Sequence, residues 1–65
     1  MNFQISLAAA RVNAGKTQDE AAKHLGVSKT CVISWEKGRT SPDATRLFEM
    51  CKYYGCPIEA IRLTD

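Results

Sequence analysis

Residues 17–38 read T-Q-D-E-A-A-K-H-L-G-V-S-K-T-C-V-I-S-W-E-K-G, and this stretch decides the fold. Thr17 with Glu20 three residues on makes a capping box, in which each side chain satisfies the other residue's free backbone N–H. Ala21, Ala22 and Leu25 then mark the apolar stripe of a short helix. Gly26 follows and can take the positive φ that ends a helix without steric cost. Val27 fills the turn, and Ser28 is a good N-cap for a second helix that carries Val32 and Trp35 inward. Gly38 stops it. Two short helices joined by a Gly-containing turn predict a helix-turn-helix over about residues 17–37, and the second helix of such a pair can lie in a DNA major groove.

Working outward, Phe3, Leu7, Ala10 and Ala14 recur on one helical face, and three consecutive alanines add propensity. Helix one is therefore expected from about Phe3 or Ile5 to Asn13, broken by Gly15. Ser41-Pro42-Asp43 is expected to start helix four, with Pro at the first helical position and an acid in the first turn. Ala44, Leu47, Met50, Cys51 and Tyr54 form a helical stripe that closes the core over helix one, and Gly55 ends it. Pro57 opens a last short helix with Ile58 and Ile61 inward. Phe48 and Tyr53 are left toward solvent, where they either pack laterally or belong to an interface. The expected architecture is all-α, a five-helix bundle with no sheet.

Bulk properties bound the function. Sixty-five residues predict one small domain, 1–65, without room for a catalytic cleft and its supporting shell or for a separate effector-binding domain. No apolar run approaches the ~18 residues needed to span a membrane, and no signal peptide is read, so no membrane partner is expected. The net charge is only +2, but residues 16–40 carry +2 and residues 41–65 carry −1. The weak positive bias thus sits on the helix-turn-helix, where a phosphate backbone would want it. Cys31, Cys51 and Cys56 without a secretion signal point to a reducing cytoplasm, in a prokaryotic cell or on its nucleoid. A zinc site from His24 and these cysteines has the wrong spacing, which favours buried free thiols acting as small hydrophobes; no metal or cofactor is expected. His24 is the only histidine, on an exposed helix face with no carboxylate or thiol placed to make a dyad, so no enzyme is expected.

Lys29, Thr30, Ile33 and Ser34 lie on the outward face near the start of the second helix, where such helices reach base edges. Lys29 can donate to guanine O6 and N7, and Thr30 and Ser34 can donate or accept. Ile33 suits a thymine methyl, or it is a partly buried surface residue; both readings stay open. Gln18 sits at the positive end of a helix dipole, a ready anion site, and Thr17 and Ser28 stand at the same helix starts.

The run T-Q-D-E-A-A-K-H-L-G-V-S-K-T-C-V-I-S-W-E-K-G-R-T-S-P-D is similar to the phage repressor and Cro-type helix-turn-helix family, the XRE family, and the resemblance extends from about Leu7 to Ile61. It implies a lambda-repressor-like DNA-binding domain. It also implies that Arg11 pairs with Glu36 as a structural ion pair, and that Gln18 contacts phosphate and braces the recognition helix. The same resemblance puts Lys37, Arg39 and Thr40 on the phosphate backbone, together with Thr17 and Ser28. Lys16 departs from the pattern, which usually has an apolar residue there; the change weakens the packing onto helix two and offers a phosphate contact. Ile33 and Pro57 stand where the family commonly has polar residues. Dimers in the family pair through the last helix and the loop before it, here Cys56, Pro57, Ile58 and Glu59.

The function implied is sequence-specific binding of double-stranded DNA as a transcriptional regulator, a repressor that occupies a palindromic operator as a weak homodimer assembled on DNA. One alternative is an antitoxin-like regulator that binds DNA and a toxin protein, using exposed Phe48 and Tyr53. The other is a protein-interaction module that has lost DNA binding, against which Gln18, Lys29, Lys37 and Arg39 argue.

Overall fold

The computed structural model describes residues 4–62. Phe3, expected on the first helix, lies outside them. The first helix, α1 (Leu7–Asn13), starts at Ser6, whose Oγ accepts the Ala9 backbone N–H at 3.1 Å. A serine caps this way only from an extended backbone, and Ser6 has φ −72° and ψ 162°. The residues at and before the cap are therefore extended, with ladder groups to satisfy. Ile5–Ser6, labelled β1, pairs in parallel with β2 (Ile61–Arg62), Ile5 opposite Ile61 and Ser6 opposite Arg62. The expectations of a helix reaching back to Ile5 and of no sheet are corrected by this pair. It clasps the two ends of the described chain together.

α2 (Gln18–Leu25) and α3 (Lys29–Lys37) form the helix-turn-helix and pack chiefly on each other. The capping box is complete: Glu20 N–H donates to Thr17 Oγ1 at 3.0 Å, and Thr17 N–H donates to Glu20 Oε1 at 2.8 Å. The Thr17 backbone N–H, with the Thr17 side chain next, lowers the Glu20 carboxyl pKa from its ordinary value. Gly26 turns the chain with φ +71°, and nothing crowds its Cα, so conformation rather than space selects glycine there.

α4 (Ala44–Tyr54) begins later than expected, because Asp43 is its N-cap: Oδ1 accepts the Arg46 N–H at 2.8 Å. Pro42 is buried ahead of the helix and occupies no helical position. Ala44, expected in the inward stripe, is exposed, while Met50, Cys51 and Tyr54 are buried and Leu47 half-buried. The fifth helix is reduced to one 3-10 turn, Ile58–Ala60. Pro57 gives it no side-chain cap, and Ile61 is already extended to pair with Ile5, so there is no length for an α-helical turn. Among the described residues the fold is thus four α-helices with a helix-turn-helix.

Leu7, Ala21, Val32, Trp35, Met50, Tyr54 and Ile61 bring every long element into one core. Val32 and Met50 are fully enclosed. Truncating Met50 to alanine costs roughly 2–5 kcal/mol, a large part of the ~5–15 kcal/mol that holds a domain folded.

Candidate nucleic-acid interface

Ser28 starts α3 by accepting the Cys31 N–H on its Oγ at 3.1 Å. With Val32 and Trp35 buried on one side, helical geometry turns Lys29, Thr30, Ile33 and Ser34 to the other. Lys29 and Thr30 are exposed, and Ile33 and Ser34 half-buried. The first turn of α3 has no acid, so its N-terminal dipole end keeps a positive character. Lys37 at the end of α3 and Arg39 and Thr40 beyond it are all exposed. Thr17 and Ser28 are exposed, and Gln18 is half-buried at the start of α2.

Glu36 fixes how α3 sits. Arg11 Nε donates to Glu36 Oε2 at 2.7 Å and Arg11 Nη2 reaches Oε1 at 3.4 Å. Gln18 Nε2 donates to the same Oε1 at 3.1 Å, and Arg11 Nη1 donates to the Lys16 carbonyl at 2.8 Å. One carboxylate therefore joins α1, α2 and α3, and Arg11 also ties down the loop between the first two. The hydrogen bond to Glu36 raises the Arg11 pKa above its ordinary value. Tyr54 lies beside this cluster. Burial, with the charge of Glu36 next, pushes its phenol up to about 12. Its hydroxyl has no hydrogen-bond partner among the described residues.

Three contacts near the site were not anticipated from sequence. Lys29 Nζ lies 3.5 Å from Asp19 Oδ2, a bridge from α3 to α2. Their spacing along the chain gives no sign of it, since the turn geometry alone brings them together. His24 stacks on Tyr53 with ring centroids 4.0 Å apart and planes 12° apart. Lys16 Nζ stands 5.0 Å from the Tyr53 ring centroid, within cation–π reach. Tyr53 is therefore half-buried between helices rather than left to solvent, and Lys16 is drawn toward α4 instead of standing free. The lone histidine and the apolar-to-Lys16 change were the only signals available, and neither names its partner.

After α4, Cys56 and Ile58 are half-buried and pack on the core, while Pro57 and Glu59 are exposed. Among the described residues no three histidine, cysteine or acidic side chains gather as a metal site, and no helix is long and apolar enough to cross a membrane.

The helix-turn-helix family HTH_3 matches residues 7–61. An uncharacterized HTH-type transcriptional regulator of Methanocaldococcus jannaschii is 42% identical over 45 residues, 69% of this chain and 68% of that one. The cryptic phage CTXphi transcriptional repressor RstR of Vibrio cholerae is 38% identical over 48 residues, 74% of this chain but 43% of the repressor. An uncharacterized HTH-type transcriptional regulator of Archaeoglobus fulgidus is 29% identical over 55 residues, 85% of this chain and 79% of that one. No solved structure matches.

Proposed function

The chain belongs to the XRE-type helix-turn-helix family and is a DNA-binding transcriptional regulator, not an enzyme; from that premise we propose that it acts as a repressor by occupying a palindromic operator as a dimer. The observation that carries this reading is the braced, outward-facing start of α3. Lys29, Thr30, Ile33 and Ser34 meet base edges, with Lys29 on a guanine and Ile33 against a thymine methyl. Thr17, Gln18, Ser28, Lys37, Arg39 and Thr40 hold phosphates on either side and set the register. Gln18 serves twice, since its side chain is spent on Glu36 while its backbone N–H faces the phosphate from the start of α2. Repression needs no chemistry, only occupancy, and the whole chain works as one domain on nucleoid DNA in a prokaryotic cytoplasm.

Two copies pair through Cys56, Pro57, Ile58 and Glu59, placing their recognition helices ~34–36 Å apart along one groove face. So small a contact makes a weak free dimer that DNA assembles. Phe48, 57% exposed beside the same segment, supports a second reading in which that face takes a protein partner such as a toxin.

Selection of bound sequences from a random DNA pool tests the reading. A two-fold-symmetric motif with half-sites about one helical turn apart is expected; an unsymmetric motif removes the dimer. Sedimentation with the selected operator should give two chains per duplex, and one chain per duplex would favour the protein-partner reading. Lys37→Ala should weaken specific and random DNA alike and lower the salt slope by about one. An unchanged slope takes Lys37 off the phosphate.

A further inference from the structure

We infer that Cys51 and Cys56 form a thiol pair that a peroxide closes into an intramolecular disulfide, a modification site at the C-terminal end of α4.

The placement follows from how the helices end. At the C-terminal end of each of the four described α-helices the residue after the left-handed glycine donates its N–H back to the carbonyl five residues earlier: Lys16 to Arg11 at 3.1 Å, Val27 to Ala22 at 3.0 Å, Arg39 to Ser34 at 3.0 Å and Cys56 to Cys51 at 3.0 Å. This closure brings the side chains of its two end residues against each other. At α4 both are cysteines. The Cys51 carbonyl also accepts the Gly55 N–H at 2.8 Å, and Gly55 holds the left-handed turn at φ +73°. The backbone therefore holds the two cysteines together before any sulfur chemistry begins. Both are free thiols in the structure.

Access differs between them in a useful way. Both line a cavity of about 310 Å³ with Phe48, Pro57 and Ile58. Cys51 is buried and Cys56 half-buried. Burial, with Cys56 as the next cause, pushes the Cys51 thiol up to about 11, so it stays protonated at neutral pH. Cys56 is then the sulfur that an oxidant entering the cavity meets. Cys56 sulfur attacks one peroxide oxygen, the O–O bond breaks, and the thiol proton leaves with the other oxygen as water, giving a sulfenic acid. Cys51 sulfur next attacks the Cys56 sulfur, the S–S bond forms and the S–O bond breaks. The departing hydroxide takes the Cys51 proton as a second water. Two electrons pass from the thiols to one peroxide, and the oxidant is the peroxide itself. Cys31, on α3, takes no part.

The test treats the reduced chain with equimolar hydrogen peroxide, blocks remaining thiols with N-ethylmaleimide and maps the peptides by mass. The expected product is a monomer lighter by two hydrogens, with a linked Cys51–Cys56 peptide and only Cys31 blocked. Dithiothreitol should restore all three thiols. Cys51→Ala, checked for helicity by circular dichroism, should hold Cys56 as a sulfenic acid that dimedone labels; Cys56→Ser should form no link. Three blocked thiols after peroxide, cross-linked dimers, or Cys31 oxidised ahead of Cys56 would each overturn the assignment. The wild-type peptide map decides the matter even if the Cys51→Ala chain does not fold.

Discussion

Two ion pairs hang on the same recognition helix and differ in almost everything but their chemistry. Glu36, near its end, meets Arg11 at 2.7 Å with side chains only 7% and 15% exposed. Lys29, at its start, meets Asp19 at 3.5 Å with side chains 51% and 75% exposed. The first pair sits where water is scarce and is supplemented by Gln18 and the Lys16 carbonyl, so each charge has several partners. The second is screened by solvent and contributes little to folding. The division has a functional sense. α3 is held from its inner side by a pair that cannot easily be given up, while the cation at its start has a protein partner that costs little to leave.

The largest expected effect comes from breaking the inner pair. Glu36→Ala strands a mostly buried guanidinium and the Gln18 amide, which should destabilise the fold by roughly 1–3 kcal/mol. In a domain this small each kcal/mol lowers Tm by about 4–8 °C. Arg11→Met with Glu36→Leu removes both charges and should recover most of the loss in thermal unfolding. Additive effects of the two changes would mean that the residues do not act as a pair.

That inner pair and the helix-turn-helix around it were legible in the sequence because their chemistry is local or carried by family resemblance. Thr17 and Glu20 announce a capping box within one turn, Ser28 announces a cap, and Gly26 allows the left-handed turn that ends a helix. Most of the misses share a physical cause, which is that their partners are distant in sequence. Ile5 pairs with Ile61 across nearly the whole chain, and two-residue strands leave no alternation to read. His24 and Tyr53 stack because α2 and α4 happen to cross there. The start of α4 was misread because Ser41, Pro42 and Asp43 are all plausible first residues, and only the bond from Arg46 N–H to Asp43 selects among them. At the interface itself, residue types on a helix face were readable, but the Lys29–Asp19 bridge was not.

Tyr54 gives a smaller effect in the same inner region. Its hydroxyl is buried beside Glu36 without a partner, so Tyr54→Phe should raise stability at pH 7 by about 1 kcal/mol. The alkaline limb should change too. A phenol whose pKa rises from 10.0 to about 12 on folding keeps its full contribution below pH 10 and loses it as pH climbs toward 12. Tyr54→Phe should therefore unfold less steeply over that window. Cys51, raised to about 11, leaves a residual slope that begins lower. Urea midpoints at pH 7 and pH 11 measure both, and a loss of stability at pH 7 would show that the hydroxyl is bonded after all.

The smallest effect on folding should come from the outer pair, and there the two regions separate most clearly. Lys29→Ala removes an exposed bridge, so the unfolding midpoint should move by no more than about 0.5 kcal/mol. If Lys29 reads a guanine, the same change should cost about 1–3 kcal/mol at that base, roughly 5- to 150-fold in Kd. The penalty should vanish for duplexes with another base there. Asp19→Ala gives the converse control: it leaves Lys29 in place, frees it from its acidic neighbour and removes a negative charge beside it. It should leave stability unchanged and tighten DNA binding, more at low salt than at high. Equal losses of stability and affinity on Lys29→Ala would show that the outer pair, like the inner one, belongs to the scaffold.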